Sequence, residues 1–212
     1  MTHHTLASYA ASSQPAERVG RFRDLTFRSS AGVIKRLERI FSTDARLFRW
    51  YGGLFYGRVL ERELRLIALA PGERVLHIGA GALPYTACFL AARGHEVDAV
   101  DSDPRTLARA RAMVQACGVA GRVWLLEQDG LRVAARGYAA IWVSLHVSPK
   151  GAILERLLHA ASPGCWIVYR EPRSWLRLFY HCSPLASPDV ELQQATCAHR
   201  LGKQSVALRV VS

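Results

Sequence analysis

The chain has 212 residues, 50% of them hydrophobic, and carries 28 Lys and Arg against 17 Asp and Glu, a formal net charge of +11. That length and apolar content suit one domain with a sizeable core and an extension, and no apolar run approaches the ~20 residues of a membrane span. The basic residues are spread without a block of like charge or a recognition motif, so neither nucleic acid nor a membrane is expected as a partner. Five cysteines with no C-x-x-C pair predict no metal site and suit a reducing cytoplasm; the polar first residues lack the apolar stretch of a signal peptide.

Residues 1–20 are polar and are read as a flexible N-terminus. Residues 21–70 are read as a helical lid. Within it, Val33, Ile34, Leu37, Ile40 and Phe41 recur at helical spacing. Ser42-Thr43-Asp44 offers an N-cap for a short helix through Leu47 and Trp50, which Gly52-Gly53 ends. A third helix is predicted over 55–70, with Leu60, Leu64 and Ile67 on one face.

The core domain is predicted over 71–212. Pro71-Gly72 turns into a strand at 74–78, followed by a helix at 86–92 and a strand at 96–100. Asp103 caps a helix with Pro104 at its first position, ending near Gly118. Strands follow at 123–126 and 139–144, then a helix from Pro149 to His159 and a strand at 165–169. A short aromatic helix at 174–180 precedes a closing antiparallel pair at 190–197 and 204–211. This order predicts an α/β domain with a seven-stranded, mostly parallel sheet.

The stretch from Arg74 to Asp103 reads as strand, glycine turn, helix, strand and acidic end. Gly79 and Gly81 give a ligand access to the backbone. Asp101, at the tip of the second strand, is placed to accept both hydroxyls of a ribose; the competing reading is a carboxylate at a helix start. A dinucleotide fingerprint needs a third glycine where Pro84 stands, which argues against NAD or FAD. The turn fits instead a Rossmann-like, class I S-adenosylmethionine (SAM) methyltransferase fold.

Three segments in order resemble the nicotianamine synthases. The turn GAGALPYT, 79–86, is similar to the family's GSGPLPLT, and ordinary methyltransferases lack its Leu83-Pro84 pair. The helix at 48–67 is similar to FPYYxNYxxLxxLExxLL through Phe48, Tyr51, Leu60 and Glu61, with Arg49 in place of proline. The segment 163–184 is similar to PGAxLVxRSAHGxRxFLYP through Pro163, Gly164, Arg170 and Tyr180, with Glu171-Pro172-Arg173-Ser174 replacing SAHG. The resemblance implies an enzyme that consumes SAM, acts on its 3-amino-3-carboxypropyl arm and releases methylthioadenosine. Two outcomes stay open: transfer to a small amine, as in nicotianamine and opine-metallophore synthesis, or cyclisation of SAM to azetidine-2-carboxylate. The short N-terminal region leans towards cyclisation or a small acceptor. A conventional small-molecule methyltransferase is the alternative. The partner implied is a small molecule, and a dimer is compatible with the sequence.

Candidate roles follow. Gly79, Gly81, Leu83, Pro84, Asp101 and Ser102 form the SAM cradle. Asp129 is placed to accept from the adenine amino group, with Gln128 as the competing choice. Arg170 is expected to hold a carboxylate by a bidentate pair, unless Glu171 neutralises it. Among catalytic candidates, Tyr51 can relay the amine proton or pack with Phe48, Trp50 and Phe55. Glu61 matches the family pattern or pairs with Arg58 and Arg65 at helical spacing. Tyr85, at the turn, is placed to contact the sulfonium or to close the pocket over the reacting arm. His146, just past the fourth strand, is a candidate for substrate chemistry or a structural histidine.

Overall fold

The strands β1 (Arg74–Ile78), β2 (Glu96–Asp101) and β4 (Ala140–Val143) are almost continuously buried along their lengths. Such runs belong at the centre of a parallel sheet covered on both faces. In the computed structural model, which describes residues 56–67, 69–172, 192–198 and 203–211, they take that place. With β3 (Val123–Glu127), β5 (Trp166–Pro172), β6 (Leu192–Ala198) and β7 (Lys203–Val210), they form a seven-stranded sheet in the order β3-β2-β1-β4-β5-β7-β6. The first five strands pair in parallel, and β7 joins β5 and β6 in antiparallel fashion.

Alternation along the strands separates two apolar layers. On one face Val75, Ala99, Trp142, Val168 and Ala207 pack against α1 (Arg58–Leu66), α2 (Tyr85–Ala91) and α3 (Pro104–Ala116). On the other, Leu76, Val100, Ile141, Ile167 and Leu208 pack against α4 (Lys150–Ala160). Helix starts follow local chemistry. The Asp103 carboxylate accepts from Arg105 N–H at 2.9 Å and from the Thr106 hydroxyl at 2.8 Å, with Pro104 at the first position. Pro84 is the N-cap of α2, and its carbonyl accepts from Cys88 N–H at 3.0 Å.

Two elements differ from the sequence expectation. Helix α1 ends earlier than expected, since Ile67 is already extended. Strand β5 runs on to Pro172, because Arg170, Glu171 and Pro172 pair with Ser205, Gln204 and Lys203 of β7. Arg170 therefore lies inside a strand. The expected helices at 31–41 and 174–180, the helix through Trp50, and the flexible segment 1–20 lie outside the described residues.

The sheet reverses its order between β1 and β4, and ligands of open α/β sheets bind beyond the strand ends at such a point. Gly79 shapes that edge. Its N–H and that of Ala80 both donate to the carbonyl of Val100, at 2.9 and 3.0 Å. Its φ is +80°, and a Cβ there would lie 2.4 Å from Val147 Cγ2. A Gly79→Ala variant is expected to lose about 2 kcal/mol in a urea titration, from backbone strain plus the clash. Adding Val147→Ala should recover the clash and leave the strain. A Gly79→Ala protein as stable as wild type would contradict this packing.

Candidate functional site

The chain's second strand ends on Asp101, and the glycine turn comes to meet it. Gly81 N–H donates to Asp101 Oδ2 at 2.9 Å, and Asp103 N–H donates to Oδ1 at 3.1 Å. The carboxylate is thus braced at the tip of β2, with lone pairs left over for a ligand's hydroxyls. Gly81 has φ +68°, which brings its N–H round to this carboxylate. Leu83 is half-buried, Pro84 is buried, and Ser102 is exposed in the bend after β2. Beyond β3, the Asp129 carboxylate accepts from Leu131 N–H at 2.9 Å and the Gln128 amide donates to the carbonyl of Arg132 at 3.3 Å. Asp129 is exposed and Gln128 is half-buried, and Gln128 N–H donates to the carbonyl of Asp101 at 3.1 Å, which sets this loop beside the tip of β2.

A second polar group lies under α1. Glu63 is fully buried. Its Oε1 accepts from Arg170 Nε at 2.8 Å and from the Ser205 hydroxyl; its Oε2 accepts from Arg170 Nη2 at 2.8 Å and from Trp142 Nε1 at 3.1 Å. Arg170 Nη2 also reaches Thr86 Oγ1 at 3.5 Å, in the first turn of α2, and the guanidinium lies 5.8 Å from the Tyr56 ring centre. One carboxylate thereby joins α1, β4, β5 and β7. Burial pushes the Glu63 carboxyl up, but the Arg170 charge and the hydrogen bonds outweigh this and hold it below the ordinary value. All four of its acceptor positions are used, so it scaffolds this edge as an anion.

His77 of β1 belongs to the same face and is 2% exposed. Burial, with the nearby Arg170 charge, lowers its pKa to about 3, so the ring is neutral under ordinary conditions. Its Nε2 lies 2.9 Å from Ser144 Oγ. Lys150 Nζ donates to the carbonyls of Leu145 and Arg170, at 2.6 and 3.1 Å, and so ties the loop after β4 to β5.

The structure redirects several expectations. Arg170 does make a bidentate carboxylate pair, but its partner is Glu63, neither a ligand nor Glu171. Glu61 pairs with Arg93 on an exposed face, because two residues of helix separate it from the inward-facing Glu63. It does not pair with Arg58 or Arg65 as helical spacing suggested. Tyr85 packs in the seam between α1 and α2, with its ring centre 6.1 Å from Tyr56 and 6.2 Å from Phe89. Burial pushes its phenol up, and its charged neighbour is Arg93. His146 is exposed in the turn after β4. Tyr51 lies outside the described residues. Glu63, His77 and Ser144 were not singled out in sequence; for His77 and Ser144 the visible signal was a polar residue in or just after an apolar strand, whereas Glu63 stands in a charged helical run with no signal of its own. Among the described residues, no group of three His, Cys, Asp or Glu is arranged to hold a metal, and no helix is long and apolar enough to cross a membrane.

No family model matches the chain. It is 32% identical over 129 residues to an L-histidine 2-aminobutanoyltransferase of Yersinia pestis. That match covers 60% of this chain and 48% of the relative, so the chain spans about half the length of the curated protein it matches. Among solved structures, it is similar to MtNAS in complex with S-adenosylmethionine (TM-score 0.76, 19% identity, 90% of this chain and 78% of that one). MtNAS in complex with MTA and tNA gives TM-score 0.75, again at 19% identity, over 90% of this chain and 76% of that one. An RNA methyltransferase from Salinibacter ruber, bound to S-adenosyl-L-homocysteine, gives TM-score 0.54 at 18% identity over 73% of this chain and 90% of that one. The chain has the class I SAM methyltransferase fold, in a form similar to the nicotianamine synthase MtNAS.

Removing one partner of the buried pair leaves an unmatched charge. Glu63→Ala is expected to cost roughly 3–5 kcal/mol in denaturant unfolding, and the double change Glu63→Leu with Arg170→Met markedly less. A double variant as unstable as the single one would contradict the pairing. His77 also sets a pH dependence. Its folded pKa of about 3 lies below the ordinary 6.5, so its contribution is present above pH 6.5 and is lost as pH falls towards 3. Between pH 6.5 and 5 the wild type should lose about 2 kcal/mol more than His77→Gln. Parallel pH profiles would show that the ring protonates freely in the folded state.

Proposed function

We propose that the chain binds SAM across the ends of β3, β2, β1 and β4 and transfers its 3-amino-3-carboxypropyl group to a small amine, releasing methylthioadenosine. The observation that carries the reading is the Asp101 carboxylate, braced by Gly81 N–H at the tip of β2 beside the sheet's reversal. The likeness to an L-histidine 2-aminobutanoyltransferase supports the choice of arm and makes L-histidine the first amine to test. MtNAS, bound to SAM in one structure and to MTA and tNA in another, supports the same chemistry on this fold.

In this reading the ribose hydroxyls donate to Asp101, and Gly79 and Gly81 leave room for the ligand along the turn. Leu83 and Pro84 wall the crevice, and Ser102 borders the ribose. The adenine amino group reaches Asp129 or Gln128 beyond β3. The amine nitrogen attacks the γ-carbon of the arm, the C–S bond breaks, and its electron pair stays on the sulfur of methylthioadenosine. The nitrogen then gives up a proton. Holding the neutral amine in line with the C–S bond dominates such a displacement. Tyr51, His146, Tyr85 and Glu61 stay as candidates for work on the reacting arm, in that order; Tyr85 and Glu61 rank last because Tyr85 is packed between Tyr56 and Phe89 and Glu61 is paired with Arg93 on an exposed face. Arg170 serves through Glu63, by fixing α1 and β7 over the pocket. Cyclisation of SAM to azetidine-2-carboxylate uses the same departure of sulfur, with SAM's own amine as nucleophile.

Asp101→Ala is expected to weaken SAM binding about a hundredfold by calorimetry, the loss of two hydrogen bonds to a charged group. The variant also loses the bonds from Gly81 and Asp103 N–H, so it should unfold at a lower denaturant concentration than wild type yet remain folded in the absence of denaturant, where binding is measured. SAM affinity equal to wild type would reject the ribose role.

A further inference from the structure

His77 sits in the buried run of β1, where an aliphatic residue would avoid the cost of burying a polar ring. Its Nε2 faces Ser144 Oγ at 2.9 Å, and its Nδ1 has no hydrogen-bond partner among the described residues. A neutral imidazole carries one proton. On Nδ1 it would be a buried N–H with nothing to accept it. On Nε2 it is donated to Ser144, and only a lone pair goes unmet, the less costly arrangement. His77 therefore donates and Ser144 Oγ accepts. The hydroxyl hydrogen of Ser144 must then point away from the ring.

Ser144 follows β4 directly, at the sheet's reversal, with its N–H on the carbonyl of Ile78 at 3.1 Å. Its Oγ lies 3.7 Å from where a Cβ on Gly79 would sit. With adenine beyond β3 and ribose on Asp101 of β2, the strand order carries the rest of the ligand over β1 to β4. In that binding mode the amino-acid arm would end beside Ser144. Its carboxylate needs donors, and the guanidinium at this edge, Arg170, is engaged by Glu63.

We propose that Ser144, oriented by His77, donates its hydroxyl hydrogen to the carboxylate of the ligand's amino-acid arm, which makes Ser144 a specificity-determining contact and His77 a positioning residue. The inference rests on the reading that the crevice takes SAM. It predicts selectivity between SAM and methylthioadenosine, which has the nucleoside and the sulfur but no amino-acid arm.

The test is calorimetric binding of both compounds to the full chain and to Ser144→Ala, His77→Phe and His77→Gln. Ser144→Ala and His77→Phe should bind SAM about tenfold more weakly and methylthioadenosine as wild type does. His77→Gln, whose amide can donate from near the Nε2 position, should restore most of the SAM affinity. Equal losses for both compounds, or unchanged SAM affinity in Ser144→Ala, would overturn the proposal. Should His77→Phe fail to fold, the ratio of the two affinities in Ser144→Ala decides alone. A wild-type chain that binds methylthioadenosine but gains nothing from the arm rejects Ser144 and leaves the nucleoside site standing. A chain that binds neither compound rejects the SAM reading itself, and this proposal with it.

Discussion

A carboxylate removed from water must be matched on every lone pair, and Glu63 is. Its partners come from β4, β5 and β7, and it brings α1 onto the sheet with it. Arg170 extends the pair to Thr86, at the start of α2. The helix that follows the glycine turn and the helix that precedes the sheet are therefore held by one charge pair. An apolar substitute of the same shape could pack here, but it would not dictate which side chains meet. The pair holds α1 and the start of α2 against β4, β5 and β7.

Across that crevice the constraints are steric. Gly79 lies where no side chain fits, between the carbonyl of Val100 and the methyl of Val147. The turn is drawn down onto β1 and β2, and Gly81 can then reach Asp101. In the proposed binding mode a ligand would meet backbone N–H groups and a carboxylate at one end, and a buried polar layer at the other. The two groups flank the reversal between β1 and β4, where an open α/β sheet places its ligands, Asp101 on the β2 side and the Glu63 network on the β4 and β5 side. The proposed chemistry asks for position: a carbon, a sulfur and an amine must be aligned.

Much of the fold was legible because its signals are local. Asp103 before Pro104 marks a helix start, and the uninterrupted apolar runs mark central parallel strands; each needs only a few neighbouring residues. The place of Asp101 at the end of β2 was legible for the same reason. The buried network was not, since Glu63 and Arg170 are 107 residues apart. A bidentate partner for Arg170 could be expected from its chemistry, but not which carboxylate supplies it. Likewise, Glu61 and Glu63 look alike in a run of alternating charge, and only docking decides which of them faces inward. His77 read as one polar residue in a strand, because nothing local signals a hydroxyl brought to it by another strand.

The central claim is that the sulfonium arm, not the methyl, is what this crevice delivers. The most direct measurement is mass spectrometry of the products after incubating the protein with SAM, alone and with L-histidine. The account predicts methylthioadenosine together with an amino acid enlarged by the 3-amino-3-carboxypropyl group; azetidine-2-carboxylate from SAM alone would keep the arm chemistry and change the nucleophile. S-adenosylhomocysteine with a methylated acceptor would contradict it.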